Sequence, residues 1–135
     1  MASSGLDIEV LGIDLLVPDA PTALEVRELC ALALASAGIA EGHMAVEFVD
    51  AARIRELNRA HRAIDEPTDV LSFGVDEDGD SAGPRELGDI VICPQHTADL
   101  REAVVHGTLH LTGMDHEADG GEMLALQSEL LRWVR

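Results

Sequence analysis

Leu6, Ile8 and Val10 alternate with Asp7 and Glu9, the two-residue period of a strand with one buried face, and Pro18 with Pro21 marks a turn beyond it. At Thr22 the period changes. Thr22-Ala-Leu-Glu25 has the spacing of a capping box and predicts a helix to about Ala37, stopped by Gly38. Its later turns are nearly all Leu and Ala, which suits burial against a sheet. Met44, Val46 and Phe48 alternate with Ala45, Glu47 and Val49, predicting a second strand. Asp50 is placed to cap a helix that carries Ile54 and Leu57 on one side, with Ile64 at or beyond its end. The run Asp65–Asp69 contains Pro67 and predicts a turn, after which Val70–Phe73 and Leu87–Cys93 read as two strands able to pair as a long-looped hairpin. Leu100, Val104 and Leu109 predict a helix leading into a histidine-rich stretch. A terminal helix follows from about Gly121, with Met123, Leu126, Leu130 and Trp133 at core spacing.

At 135 residues the chain is long enough for one core and too short for two, so residues 1–135 read as a single domain. Hydrophobic residues make up 47% but aromatics only 2%, so that core must be built from Leu, Val, Ile and Ala. No apolar run approaches the ~20 residues of a membrane span, and Met1–Gly5 is too short and polar for a signal peptide. A soluble, cytoplasmic protein is expected, and Cys30 and Cys93, both in apolar surroundings, read as reduced core residues.

Charge complicates any partnership with nucleic acid. Nine basic residues against 26 acidic give a net −17, a field that repels phosphate. Its distribution matters more than its sum: all nine are arginines, and Arg53, Arg55, Arg59 and Arg62 fall within ten positions. Guanidinium forks match phosphate oxygens, so such a patch can hold a strand, while Arg53 and Arg55 read equally well as a solvated helix face paired with Glu56 and its neighbours. The acidic loop Asp76–Asp80 resembles a calcium loop only superficially. Ser81 stands where the tight-turn glycine belongs and Leu87 where the bidentate glutamate belongs, so it reads as a solvated loop.

The candidate chemistry lies in His106-Gly-Thr-Leu-His110-Leu-Thr-Gly113-Met-Asp-His116, which holds three of the six histidines. On a helix His106 and His110 share a face one turn apart, and Gly113 lets the chain double back to bring His116 to the same ion. Three imidazoles suit a single Zn²⁺ with its fourth position left to water or substrate, the arrangement of a catalytic site. The spacing is also that of zinc proteases whose motif begins His-Glu, but here Gly107 replaces the glutamate that serves as their general base. A metalloprotease-like hydrolase is therefore disfavoured. Asp115, inside the loop, reads either as orienting a histidine or as holding the turn, and Asp69 and Asp89 as bases or, with some preference, as turn residues.

Four segments in order, Leu57-Asn58 with Arg62, Pro67-Thr-Asp-Val-Leu-Ser-Phe73, Leu87-Gly-Asp-Ile-Val-Ile92 and His106–His116, resemble the signatures of the YbeY family. The resemblance implies an α/β (α+β) fold with a small mixed sheet of about four strands, packed with helices, and a metal-site helix near the C-terminus. It implies a zinc-dependent, single-strand-specific endoribonuclease acting in 3′-end maturation of small-subunit (16S) ribosomal RNA and in ribosome quality control, with the ribosome or its proteins as partners. By that pattern His106, His110 and His116 are the metal ligands, and Arg62 and His106 belong to the catalytic set. Two departures accompany it: the segment between Pro94 and His106 is short, and His61 stands where family members often carry an aromatic residue. The alternative is a non-catalytic assembly factor in which zinc stabilises the fold and the acidic surface meets basic ribosomal proteins.

Overall fold

The computed structural model describes residues 5–18, 20–74 and 86–134. Strands β1 (Gly5–Leu11), β2 (Glu41–Phe48), β3 (Val70–Gly74) and β4 (Glu86–Ile92) form one sheet in the order β1-β2-β4-β3. The first three neighbours run parallel, and β3 joins β4 antiparallel as an edge strand, Ser72 opposite Ile90. The expected mixed sheet and the β3–β4 pairing are both present. The acidic run Asp76–Asp80 lies outside the described residues.

Four helices, α1 (Ala23–Ser36), α2 (Ala51–Arg62), α3 (Leu100–Leu111) and α4 (Glu122–Arg132), complete the fold. The sequence signals act as expected at their starts: the Thr22 side chain accepts from the Glu25 N–H at 3.1 Å, and Asp50 accepts from the Arg53 N–H at 2.8 Å. Glu25 also forms a two-pronged ion pair with Arg101, which ties α1 to α3 and, chiefly through that hydrogen bond, holds its carboxyl below the usual range.

One face of the sheet packs on α1, α3 and α4. Met44, Val46, Ile90 and Ile92 meet Val26, Leu29 and Leu34 of α1, Val104 and Leu109 of α3 and Met123 of α4, all essentially inaccessible to water. On the other face α2 covers a smaller cluster of Val49, Ile54, Leu71, Val91 and Cys93. Both cysteines are free and buried, and burial pushes the Cys30 thiol up to about 12, so Cys30 is not poised to react.

Trp133 departs from expectation. It is 75% exposed, because α4 ends at Arg132 and its buried stripe runs through Met123, Gln127, Leu130 and Leu131. A tryptophan three positions after Leu130 lies past the last helical residue and off that stripe. Among the described residues no helix is long and apolar enough to cross a membrane.

Candidate metal centre

Helix α3 starts from Asp99, whose side chain accepts from the Glu102 N–H at 3.1 Å, and lies with Val104, Val105, Thr108 and Leu109 against the core. His106 and His110 fall on its half-buried side, and their ring centroids are 4.8 Å apart. After Thr112 the chain turns at Gly113, where φ is +101°, a backbone state that a β-carbon strains. No neighbouring atom would meet a side chain there, so conformation and not crowding calls for glycine. The reversal brings the His116 ring to 4.9 Å from His106 and 5.1 Å from His110. One nitrogen from each ring lies within 4.8 Å of the others.

The proton-bearing nitrogens are held from outside the cluster. His106 Nδ1–H donates to Gln127 Oε1 of α4 at 2.8 Å, and His110 Nδ1–H donates to the Met114 carbonyl at 3.0 Å. Each bond leaves an Nε2 lone pair free. The third ring is unsatisfied: His116 Nδ1 is buried and has no hydrogen-bond partner, an arrangement that costs stability unless something else meets the cluster. Burial, reinforced by the nearby His106, holds His110 below the ordinary imidazole range and favours the neutral form that a metal requires. The chemistry of the donor set therefore fits a zinc ion, and among the described residues no fourth His, Cys, Asp or Glu joins the group.

The three imidazoles lie on a cleft of about 650 Å³ that Arg62, Thr68, Asp69 and Ser72 also line. Arg62, the last residue of α2, is exposed and forms no ion pair among the described residues. Its neighbours on the helix are engaged: Arg53 lies 3.9 Å from Glu56, and Arg55 holds Asp65 at 2.8 Å and 3.2 Å through two nitrogens. Among the described residues Arg53 and Arg55 are thus paired, Arg59 and Arg62 form no ion pair, and of the four Arg62 alone lines the cleft.

Two of the three acidic candidates, Asp115 and Asp69, resolve toward turns, whereas Asp89 sits in a strand. Asp115 Oδ1 accepts from the Glu117 N–H at 3.0 Å, and Asp69 Oδ1 from the Val70 N–H at 2.8 Å. Asp89 is exposed on β4 opposite Ala45 and Phe73 and does not line the cleft. His61 packs edge-on to Phe73 at 4.8 Å. Gln127 was not among the residues expected at the site. Its signal was available, since a glutamine four residues after Met123 and three before Leu130 breaks the apolar stripe of α4.

Gly107 has a second meaning. A β-carbon there would lie 2.7 Å from Ile90 Cγ2, on a side chain that is itself fully buried. Helix α3 approaches β4 this closely only because the position is bare, and the Gly107 carbonyl accepts from Ser72 Oγ of β3 at 3.2 Å. The glutamate of a protease motif has no room here, which removes the peptidase alternative on steric grounds as well as chemical ones.

Comparison with known proteins shows the family. The family model described as endoribonuclease YbeY matches residues 17–135. Proteins named endoribonuclease YbeY from Bacillus cytotoxicus, Rubrobacter xylanophilus and Azorhizobium caulinodans are 38%, 42% and 40% identical, over 78%, 80% and 88% of this chain and 82%, 82% and 89% of their own lengths. The solution structure of TM1509 from Thermotoga maritima matches with a TM-score of 0.56 and 29% identity, covering 92% of this chain and 86% of its own. Matched by that family model over most of its length and by these relatives at 38–42% identity, the chain belongs to the YbeY endoribonuclease family.

Proposed function

We propose that the protein is a zinc-dependent, single-strand-specific endoribonuclease of the cytoplasm, acting on the 3′ end of small-subunit ribosomal RNA in ribosome maturation and quality control. The observation that carries this reading is the convergence of three imidazoles and one guanidinium on a single cleft. Family membership supports the RNA substrate, since the relatives are named endoribonucleases.

In this reading His106, His110 and His116 hold the ion through nitrogens that are free of protons. When bound, zinc supplies Lewis acidity toward a phosphoryl oxygen and activates water at neutral pH. The chain's own residues do the rest. Arg62 grips the non-bridging oxygens of the scissile phosphate with two parallel N–H bonds and neutralises the charge that grows there as the nucleophile adds, whether that nucleophile is water or the ribose 2′-hydroxyl. Because no carboxylate among the described residues pairs with it, this cation is available to phosphate on a body of net charge −17. Thr68 and Ser72 carry hydroxyls on the cleft wall, yet both are committed, to Asp69 and to the Gly107 carbonyl, so they shape the wall and are not free to attack.

The test is cleavage of single- and double-stranded RNA by nuclease-free protein of measured metal content, wild type beside Arg62→Ala. The expected result is cleavage of the single strand alone. Arg62→Ala should lower kcat about 10²–10³-fold, the usual cost of losing one donor to a developing oxyanion, with metal content and melting temperature unchanged. Wild-type protein that cleaves nothing at any zinc loading would overturn the enzyme in favour of a zinc-stabilised assembly factor.

A further inference from the structure

Gln127 is 7% exposed, on the buried stripe of α4 between Met123 and Leu130. A long polar side chain is a costly occupant of such a position. It loses rotamer freedom and gives up bonds to water, whereas leucine or methionine would bury there at no such cost. Among the described residues the other buried polar side chains, Asn58 and Thr108, bond main-chain carbonyls eight and four residues away, and Thr108 adds a long 3.6 Å contact to Cys30 Sγ of α1. Gln127 instead reaches 21 residues back along the chain to the His106 ring, at 2.8 Å. What it stabilises is the site, not its own helix.

The bond is directional. His106 Nδ1 carries the hydrogen and the amide presents its oxygen, so the proton is kept off Nε2, the nitrogen left with a lone pair for an ion. The ring plane is fixed at the same time, because a hydrogen bond this short leaves it little freedom to rotate about its side-chain axis. His110 is set the same way by the Met114 carbonyl. Both acceptors are neutral. The one carboxylate inside the histidine loop, Asp115, lines the cleft but bonds the Glu117 N–H and none of the three rings. An ion held by imidazoles whose outer partners are neutral keeps its whole double charge for whatever enters the cleft, and on a chain of net charge −17 that charge and Arg62 are what the described cleft can offer a phosphate.

We propose that Gln127 is a positioning residue of the metal centre: it selects the metal-binding tautomer and orientation of His106 while withholding negative charge from the ion. The proposal rests on the metal-dependent reading given above, and it assigns to α4 a part in the site that the histidine motif does not contain.

Two substitutions of nearly equal volume test it, Gln127→Met, which removes the acceptor, and Gln127→Glu, which keeps an acceptor and adds a charge. Three quantities are measured: zinc affinity by competition with a chromophoric chelator, the unfolding midpoint of metal-free protein, and KM for single-stranded RNA. Gln127→Met should bind zinc 10–100-fold more weakly, the usual effect of losing such a partner, with a metal-free midpoint equal to or above that of the wild type. Gln127→Glu should bind zinc at least as tightly as the wild type but show a raised KM for RNA. A merely structural role predicts the reverse pattern, a lower metal-free midpoint for both variants and no rescue of zinc affinity by glutamate, and that result overturns the proposal. So does a Met variant that binds zinc as tightly as the wild type. Failure of the wild type itself to bind zinc would overturn the metal reading along with it, which separates the two failures.

Discussion

The molecule holds two histidine environments of opposite character. At the cleft three imidazoles face one another, each of the two on α3 bonded at one nitrogen by a neutral oxygen, with no carboxylate bonded to any of them. On the outer face of the sheet His43 of β2 lies between Glu9 of β1 and Glu86 of β4, with both ring nitrogens engaged at 3.1 Å and 3.0 Å. Their protonation moves apart accordingly. Burial and the neighbouring imidazole lower His110, whereas Glu86 first and Glu9 second raise His43. A histidine with acidic partners on both sides becomes a cation and a clamp between strands; one with a single neutral partner keeps a lone pair. The fate of each imidazole is decided by what its second nitrogen meets.

The largest effect that would break this contrast is at the cleft. His110→Ala should reduce RNA cleavage to background and abolish the rise in melting temperature that zinc gives the wild type, read by thermal unfolding with and without the ion. Retention of that rise would mean the three rings do not act together. Next is the scaffold beneath them. Gly107→Ala adds a β-carbon against Ile90, and the strain of overpacking, about 1–3 kcal/mol, outweighs the gain of roughly 1 kcal/mol in helix propensity. Denaturant unfolding should show a net loss, and zinc affinity should fall with it as α3 shifts off β4.

The smallest effect belongs to His43. Its pKa is raised on folding, so its contribution is complete below the unfolded value near 6.5 and fades as pH rises through the folded value. Comparing His43→Gln with wild type, the stability difference should be greatest in mild acid and vanish in mild alkali. With both glutamates more than half exposed, about 0.5 kcal/mol is the expected size. His110 carries the opposite sign, since a histidine kept neutral in the fold costs stability as acid charges it. A difference at His43 that grew with pH would undo the distinction between the two environments.

Much of this was legible along the chain because it rests on local rules. Alternation marked β1 and β2, Thr22 and Asp50 marked helix starts, and the glycine after Thr112 marked the reversal that returns His116. The order β1-β2-β4-β3 was not legible, because parallel neighbours are joined through crossovers whose destination no local pattern records. Asp115 and Gln127 show the same limit at the scale of side chains. The carboxylate adjacent in sequence to His116 serves its own turn, while the partner of His106 comes from another helix. Trp133 marks a third case, in which spacing continued on paper past the point where the helix itself stopped.

The bond between His106 and Gln127 also has a consequence in time. A ribosome making this chain releases all three histidines and Arg62 before it releases α4, so a nascent or truncated product ending ahead of Glu122 would carry the whole motif without the group that orients its first ring. On the proposal above, such a product would hold zinc more weakly than the finished chain, and the last helix to emerge would complete the metal centre.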